Sequence, residues 1–226
     1  MSADPTAALD PAGRSALGKV LALLASERAS VSSVVDERAW QVHVADSLTG
    51  LEVAELREAG TIADVGAGAG FPGLALAVAL PRAQVDLIES IGRKCEFMTR
   101  AIEAGGIANA TVLNTRSEDL AATTGRDSYD VVTARAVGRL STLAELASPL
   151  LKPNGLLIAW KGKRDPDEEA QLARASESLA MRPEQILDVG DRAGSKHRHL
   201  HVLRKLGATP PDLPRRPGVA KKRPKG

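Results

Sequence analysis

The run Asp64-Val65-Gly66-Ala67-Gly68-Ala69-Gly70-Phe71-Pro72-Gly73 has residue types and spacing that point to a specific chemistry. Glycines allow a sharp strand-to-helix turn and let a ligand approach the backbone, and the helix that follows offers unpaired N–H groups. Two spacings overlap: Gly66, Gly68 and Gly70 form G-x-G-x-G, while Gly68, Gly70 and Gly73 form G-x-G-x-x-G, the dinucleotide fingerprint. The first fits better, because in the second Pro72 and Gly73 fall inside the helix rather than at its entrance. Asp64, ending the strand, suits an ammonium or a water of a zwitterionic ligand and would repel a pyrophosphate. It equally suits the amides of its own turn. Glu89 follows Gly66 by 23 residues and ends the next strand, where an acid takes both hydroxyls of a ribose, in NAD or in S-adenosylmethionine. Ser117 and Glu118 follow a third strand. An acid there can accept an adenine amine, or the pair can cap a helix.

The elements that must hold these groups follow from periodicity. Residues 11–29 read as an amphipathic helix with Leu17, Val20, Leu21 and Leu24 on one face; 38–48 and 51–58 read as further helices. From Thr61 short apolar runs alternate with helical stretches. Strands are expected at 61–65, 84–89, 110–114, 130–134 and 155–161, with two more near 185–189 and 199–204. Helices are expected at 72–80, 93–104 and 141–151, and from Pro166, with Asp165 as N-cap and Glu168 completing a capping box. This is an α/β pattern with a mostly parallel, doubly wound sheet covered on both faces. The chain divides into an N-terminal helical extension (1–60), a ligand-binding domain (61–206) and a basic, Pro-rich tail (207–226).

Composition sets outer limits. With 43% hydrophobic residues the chain can build a core, and a single cysteine, Cys95, excludes an intrachain disulfide and fits a reducing compartment. There is no apolar stretch resembling a signal peptide, and the longest apolar run, Leu74 to Leu80, is too short for a bilayer; a cytoplasmic protein is expected. The net charge of +2 hides an asymmetry: from Arg192 to Gly226 there are 11 basic residues and one acid, against 19 basic and 27 acidic residues before them. An acidic body with a basic tail suits a polyanion, nucleic acid or a membrane surface, or is a solvated end. The segment 207–226 has five prolines and no periodicity, so it is expected to be extended or disordered without a partner.

Asp64, the glycines, Glu89 and Ser117-Glu118 together resemble the S-adenosylmethionine site of the Rossmann-like class I methyltransferases. Further segments narrow the resemblance: His43-Val-Ala-Asp46-Ser47-Leu48, Asp64 to Gly73, Glu89-Ser90-Ile-Gly92-Arg93-Lys94, Arg116-Ser-Glu118, Thr133-Ala-Arg135-Ala136, Trp160-Lys161-Gly162 and Pro214-Arg-Arg-Pro-Gly218-Val-Ala-Lys-Lys-Arg-Pro224. Through nearly its whole length the chain resembles the glucose-inhibited division protein B family, also called RsmG. That resemblance implies methylation of N7 of a guanine in 16S ribosomal RNA, free or in the small subunit, with S-adenosylmethionine as cofactor, no metal and no membrane. It puts Gly66, Phe71, Ser117, Glu118 and Arg135 at the cofactor. Thr133 stands where the family has Ser, and the chain ends Pro-Lys-Gly rather than Pro-Leu.

Guanine N7 already carries a lone pair, so no general base is expected; the task is alignment. Arg135, ending the fourth strand, is the candidate for positioning the acceptor by stacking or by holding a phosphate, or else a structural ion pair. Lys161 shares that ambiguity. With Arg215, Arg216, Lys221, Lys222 and Arg223 of the tail it makes up the candidate RNA contacts. His197, His199 and His201 alternate, but no carboxylate or cysteine stands near them, and no metal is expected. Trp40, Trp160 and Cys95 read as core or rim. The protein is expected to be a monomer. Competing readings are a methyltransferase acting on another RNA or a small molecule, an NAD-dependent oxidoreductase and a non-catalytic RNA module.

Overall fold

Runs of aliphatic residues too short for helices pair into a seven-stranded sheet in the spatial order 110–114, 84–89, 61–65, 129–135, 151–161, 198–205, 181–190. The computed structural model describes residues 4–27, 32, 34–190 and 197–226. Strands β1 (Thr61–Val65), β2 (Gln84–Glu89), β3 (Ala110–Asn114), β4 (Tyr129–Arg135) and β5 (Leu151–Lys161) are mutually parallel. Strands β6 (Met181–Gly190) and β7 (Arg198–Lys205) are antiparallel, with β7 inserted beside β5. Val65 is level with Ile88 on one side and with Ala134 on the other, so the carboxyl ends of β2, β1 and β4 form one edge. The strand order reverses between β1 and β4, and such a switch point leaves a crevice at that edge.

Helices cover both faces. They are α1 (Pro11–Ser26), α2 (Asp46–Leu48), α3 (Ala54–Glu58), α4 (Gly73–Ala79), α5 (Gly92–Gly105), α6 (Ser117–Ala121), α7 (Leu140–Ala147), α8 (Pro166–Ala175) and α9 (Val219–Lys222). Helix α1 opens on a cap, Asp10 accepting from the Gly13 amide at 2.7 Å, with Pro11 at its first position. Its Leu17, Val20 and Leu24 are fully buried in one core with Leu74, Phe97 and Ile158. A second core on the other face joins Leu143, Leu157 and Leu172, and it takes in Leu213 from the tail. The N-terminal helix and the tail therefore each bury side chains against the sheet domain. No described helix is long and apolar enough to cross a membrane.

The expected elements are present with informative differences. Helix α1 ends at Ser26, and residues 28 and 29 lie outside the described residues. The stretch 38–48 is not one α-helix: Trp40–Ala45 is a π-turn, after which α2 follows. Single π-turns are rare and often mark functional positions. Strand β5 starts at Leu151 rather than at Gly155, because Pro153-Asn154-Gly155 is absorbed as an irregularity in pairing between Tyr129 and Val131. Asp165 caps α8 as expected, but Glu168 does not complete a capping box. Its Oε1 accepts instead from the Leu140 amide at 2.6 Å and from Lys161 at 2.8 Å, tying α8 to α7 and β5.

The tail is the largest departure from expectation. Leu213 and Ala220 are buried, Arg126 donates to the Leu213 carbonyl at 2.9 Å, and α9 caps the segment. Arg215 forks onto Glu145 of α7, with both nitrogen–oxygen distances 2.5 Å. Thus the segment is held by scattered apolar side chains and one bidentate ion pair, neither of which has a period.

Candidate cofactor and RNA site

A cavity of about 310 Å³ opens at the carboxyl edge of β1, β2 and β4, within the size range of small-molecule sites. Its wall includes Gly66, Glu89, Ser117 and Glu118, so the tertiary fold brings these four expected residues together. Gly66, Gly68 and Gly70 all have positive φ, whereas Gly73 lies in α4. The G-x-G-x-G reading is therefore the conformational one. Gly66 has φ +68°, and a Cβ there would meet Val137 at 2.8 Å. Gly73 is small for packing: a Cβ would meet Leu87 at 2.2 Å.

The two acids are held by backbone amides. Glu89 is 7% exposed; its Oε2 accepts from Gly68 N–H at 3.1 Å, and its Oε1 from Ser90 and Ile91 N–H at 2.8 and 2.9 Å. These bonds fix the orientation of the carboxylate at the cavity wall. Glu118 Oε2 accepts from Ser117 at 3.2 Å, and its Oε1 accepts from the Gly218 amide of the tail at 2.8 Å. Ser117 does not act as the helix cap; Arg116 occupies that position and makes no side-chain capping bond.

Asp64 lies behind the turn rather than in the cavity. It is 1% exposed, with Oδ2 accepting from Gly73 N–H at 2.9 Å and Oδ1 from Thr133 at 3.0 Å. Its alternative as a turn-amide acceptor is the one realised. Burial pushes its carboxyl up to about 6, against the opposing hydrogen bonds of Gly73 and Thr133. Gly68, Gly70 and Phe71 also lie outside the cavity wall.

Phe71 and Arg135 join a second cluster built by the π-turn. His43 stacks on Phe71 with ring centroids 5.1 Å apart. His43 Nε2 stands 2.9 Å from the Val34 carbonyl, which fits an Nε2–H tautomer and leaves Nδ1 facing Arg135 Nη2 at 3.5 Å. Burial lowers the His43 pKa, which keeps the ring neutral. Asp46, 1% exposed, accepts from Arg135 Nη1 at 2.8 Å and from Arg198 Nε at 2.7 Å. Arg135 also donates to the Val42 carbonyl at 2.9 Å. Arg135 is thus in an ion pair and does not line the cavity.

Of the expected RNA contacts, Arg216, Lys221, Lys222 and Arg223 are exposed. The other two are held in ion pairs within the protein. Arg215 donates to both oxygens of Glu145, and Lys161 donates to Glu168 at 2.8 Å and to the Gly138 carbonyl at 3.0 Å. Arg192 and Lys196, part of the basic count, lie outside the described residues. The alternating histidines do not converge: His201 is buried, and His199 Nδ1 faces the Gly162 and His197 carbonyls. Among the described residues no three His, Cys, Asp or Glu side chains are grouped to hold a metal. Trp160 is core, with Nε1 donating to the Asp46 carbonyl at 2.8 Å, and Cys95 is buried.

Sequence reasoning missed several groups at these sites. Gly218 of the tail, Lys94 and Thr142 line the cavity, and Lys221, expected only as an RNA contact, is part of the same wall. Arg198 was not singled out as a partner of Asp46. The one signal for the tail was its apolar residues, Leu213, Val219 and Ala220, set among cations.

The comparisons agree with this architecture. A methyltransferase of Aquifex aeolicus described as dependent on S-adenosylmethionine superposes with TM-score 0.57 at 20% identity, covering 76% of this chain and 94% of that one. The Methanococcus jannaschii fibrillarin pre-rRNA processing protein gives 0.57 at 18%, covering 72% and 74%. At such identities the likeness is one of fold. Sequence relatives are nearer. The ribosomal RNA small subunit methyltransferase G of Bacillus subtilis is 34% identical over 201 residues, 88% of this chain and 84% of the relative. That of Rubrobacter xylanophilus is 42% identical over 187 residues, 80% and 71%. The GidB family model, described as rRNA small subunit methyltransferase G, matches residues 19–200. With relatives of that identity and a family match that spans the glycine turn, both acids and the His43–Arg135 cluster, the chain belongs to the GidB family of rRNA small subunit methyltransferases.

Proposed function

We propose that this chain uses S-adenosylmethionine to methylate N7 of a guanine in 16S ribosomal RNA. The observation that carries the reading is the convergence of Gly66, Glu89 and Glu118 on one cavity at the switch point of the sheet. These residues fit the cofactor. Glu89, oriented by three amides, suits the ribose hydroxyls, and Glu118 suits the adenine amine. Gly66 permits close backbone approach. When bound, the cofactor supplies an electrophilic methyl group on a sulfonium.

The protein's own task is then alignment. Guanine N7 has a free lone pair, so no side chain must remove a proton before attack. Consistent with that, Asp64, the carboxyl raised by burial, has both oxygens occupied by Gly73 and Thr133 and serves the turn rather than the acceptor. Arg135, locked by Asp46 and the Val42 carbonyl, presents a rigid guanidinium beside the glycine turn, suited to a base or a phosphate. The exposed Arg216, Lys222 and Arg223 supply sequence-independent attraction to RNA phosphates. Choice of guanine would come from RNA shape. The exposed cations favour an RNA acceptor over a small molecule.

The test is a chemical-cleavage map of N7-methylguanine in 16S ribosomal RNA from cells with and without the gene. Loss of one cleavage site, restored by the gene, is the expected result. An unchanged map would overturn the acceptor and leave another RNA or a small molecule as the alternative.

A further inference from the structure

The family match ends at residue 200, yet the cavity is closed in part by residues beyond it, Gly218 and Lys221. The contact is specific. The Gly218 amide donates to Glu118 Oε1 at 2.8 Å, across a separation of 100 residues. Gly218 has φ +80°, a conformation that suits glycine. Ala220, buried and one of the two residues between the wall positions, accepts at its carbonyl from Thr142, itself part of the cavity wall, at 3.3 Å. On the far side, Arg215 clamps Glu145 on the helix that carries Thr142. Lys221 has no acid within ion-pair distance among the described residues, unlike Arg215, and its side chain is exposed at the cavity. Three anchors thus hold one segment against one end of the cavity, the end that carries Ser117 and Glu118.

We propose that the C-terminal segment is part of the cofactor site: the Gly218 amide positions the Glu118 carboxylate for an adenine amine, and Lys221 closes the adenine end of the cavity. This rests on the cofactor reading above. Gly218 is a positioning group acting through Glu118. An acid free to rotate at the edge of a cavity loses orientation, whereas Glu118, with Oε1 held by the Gly218 amide and Oε2 by the Ser117 hydroxyl, keeps a fixed direction and still has unused acceptor lone pairs. Because the wall closes over bound ligand, occupancy of the cavity and docking of the segment stabilise each other by linkage.

The test uses the full-length protein and S-adenosylhomocysteine as probe. Calorimetric titration is run on the wild type, on Gly218→Pro, which deletes the N–H and cannot adopt the φ of +80°, and on Lys221→Met, an exposed site where the fold is not at stake. Melting of the free proteins checks folding. Both variants are expected to bind about tenfold more weakly, the loss of roughly one hydrogen bond. In the wild type, saturating S-adenosylhomocysteine is expected to slow tryptic cleavage at Lys221 and Lys222 by about tenfold or more. Affinities of the folded variants within twofold of the wild type, with cleavage indifferent to the probe, overturn the proposal while the cofactor reading stands. A wild type that does not bind S-adenosylhomocysteine overturns both.

Discussion

Arg135 Nη1 donates to Asp46 Oδ2 at 2.8 Å, although the two residues are 89 positions apart, one ending a central strand and the other following a π-turn. The second oxygen of Asp46 accepts from Arg198. One buried carboxylate therefore sets the direction of two guanidiniums. Asp46→Ala should leave both cations without their acid. Removing one member of a buried pair costs about 3–5 kcal/mol, and the partial exposure of both arginines places the expectation at the lower end. Urea unfolding checks it; a loss below about 1 kcal/mol would mean that the arginines find solvent instead.

Glu89 accepts three backbone hydrogen bonds and faces the cavity. Glu89→Gln keeps the shape and removes the charge. Hydrogen bonds to charged groups contribute about 1.5–3 kcal/mol, so binding of S-adenosylhomocysteine should weaken by about 10–100-fold. Calorimetric titration is the measurement, and unchanged affinity would remove Glu89 from the ribose role.

Asp64 gives a pH signature. Its carboxyl is raised by burial to about 6, from 3.8 in the unfolded chain. Between those values the folded state binds more protons than the unfolded one, so this group's contribution to stability falls as pH rises. The penalty is absent well below the unfolded value and complete above the folded one. Asp64→Asn abolishes it. The stability of the variant relative to wild type should therefore rise by about 3 kcal/mol from about pH 3.5 to pH 7, at 1.36 kcal/mol per unit. Denaturant titrations at several pH values test this, and a flat difference would mean that Asp64 stays ionised throughout.

The tail cations should divide into two kinds. Arg216, Lys222 and Arg223 are exposed. Changing any one of them to Ala should leave stability within about 0.5 kcal/mol and reduce the salt slope of RNA binding by up to about 0.7–0.9. Arg215 is bound to a 2%-exposed Glu145. Arg215→Ala should instead lower stability by about 3 kcal/mol. Thermal melting with filter binding at several salt concentrations separates the two classes; equal behaviour of Arg215 and Arg216 would contradict the docking.

What the sequence determined by itself was local. The turn from Gly66 to Gly70, the acids Glu89 and Glu118 at strand ends and the α/β alternation are set by conformational freedom and side-chain period over a few residues. The strands at 61–65, 84–89 and 110–114 accordingly fall where they were expected. Choosing a partner is a different kind of problem. Which acid meets Arg135, whether Arg215 is free for RNA and whether the Pro-rich tail lies against the body depend on groups 70 to 100 residues apart. An ion pair carries no spacing in the chain, and a π-turn differs from an α-turn by one extra residue that periodicity does not register. Only the tertiary structure decided those, because burial against the sheet selects among charges that look equivalent in the sequence.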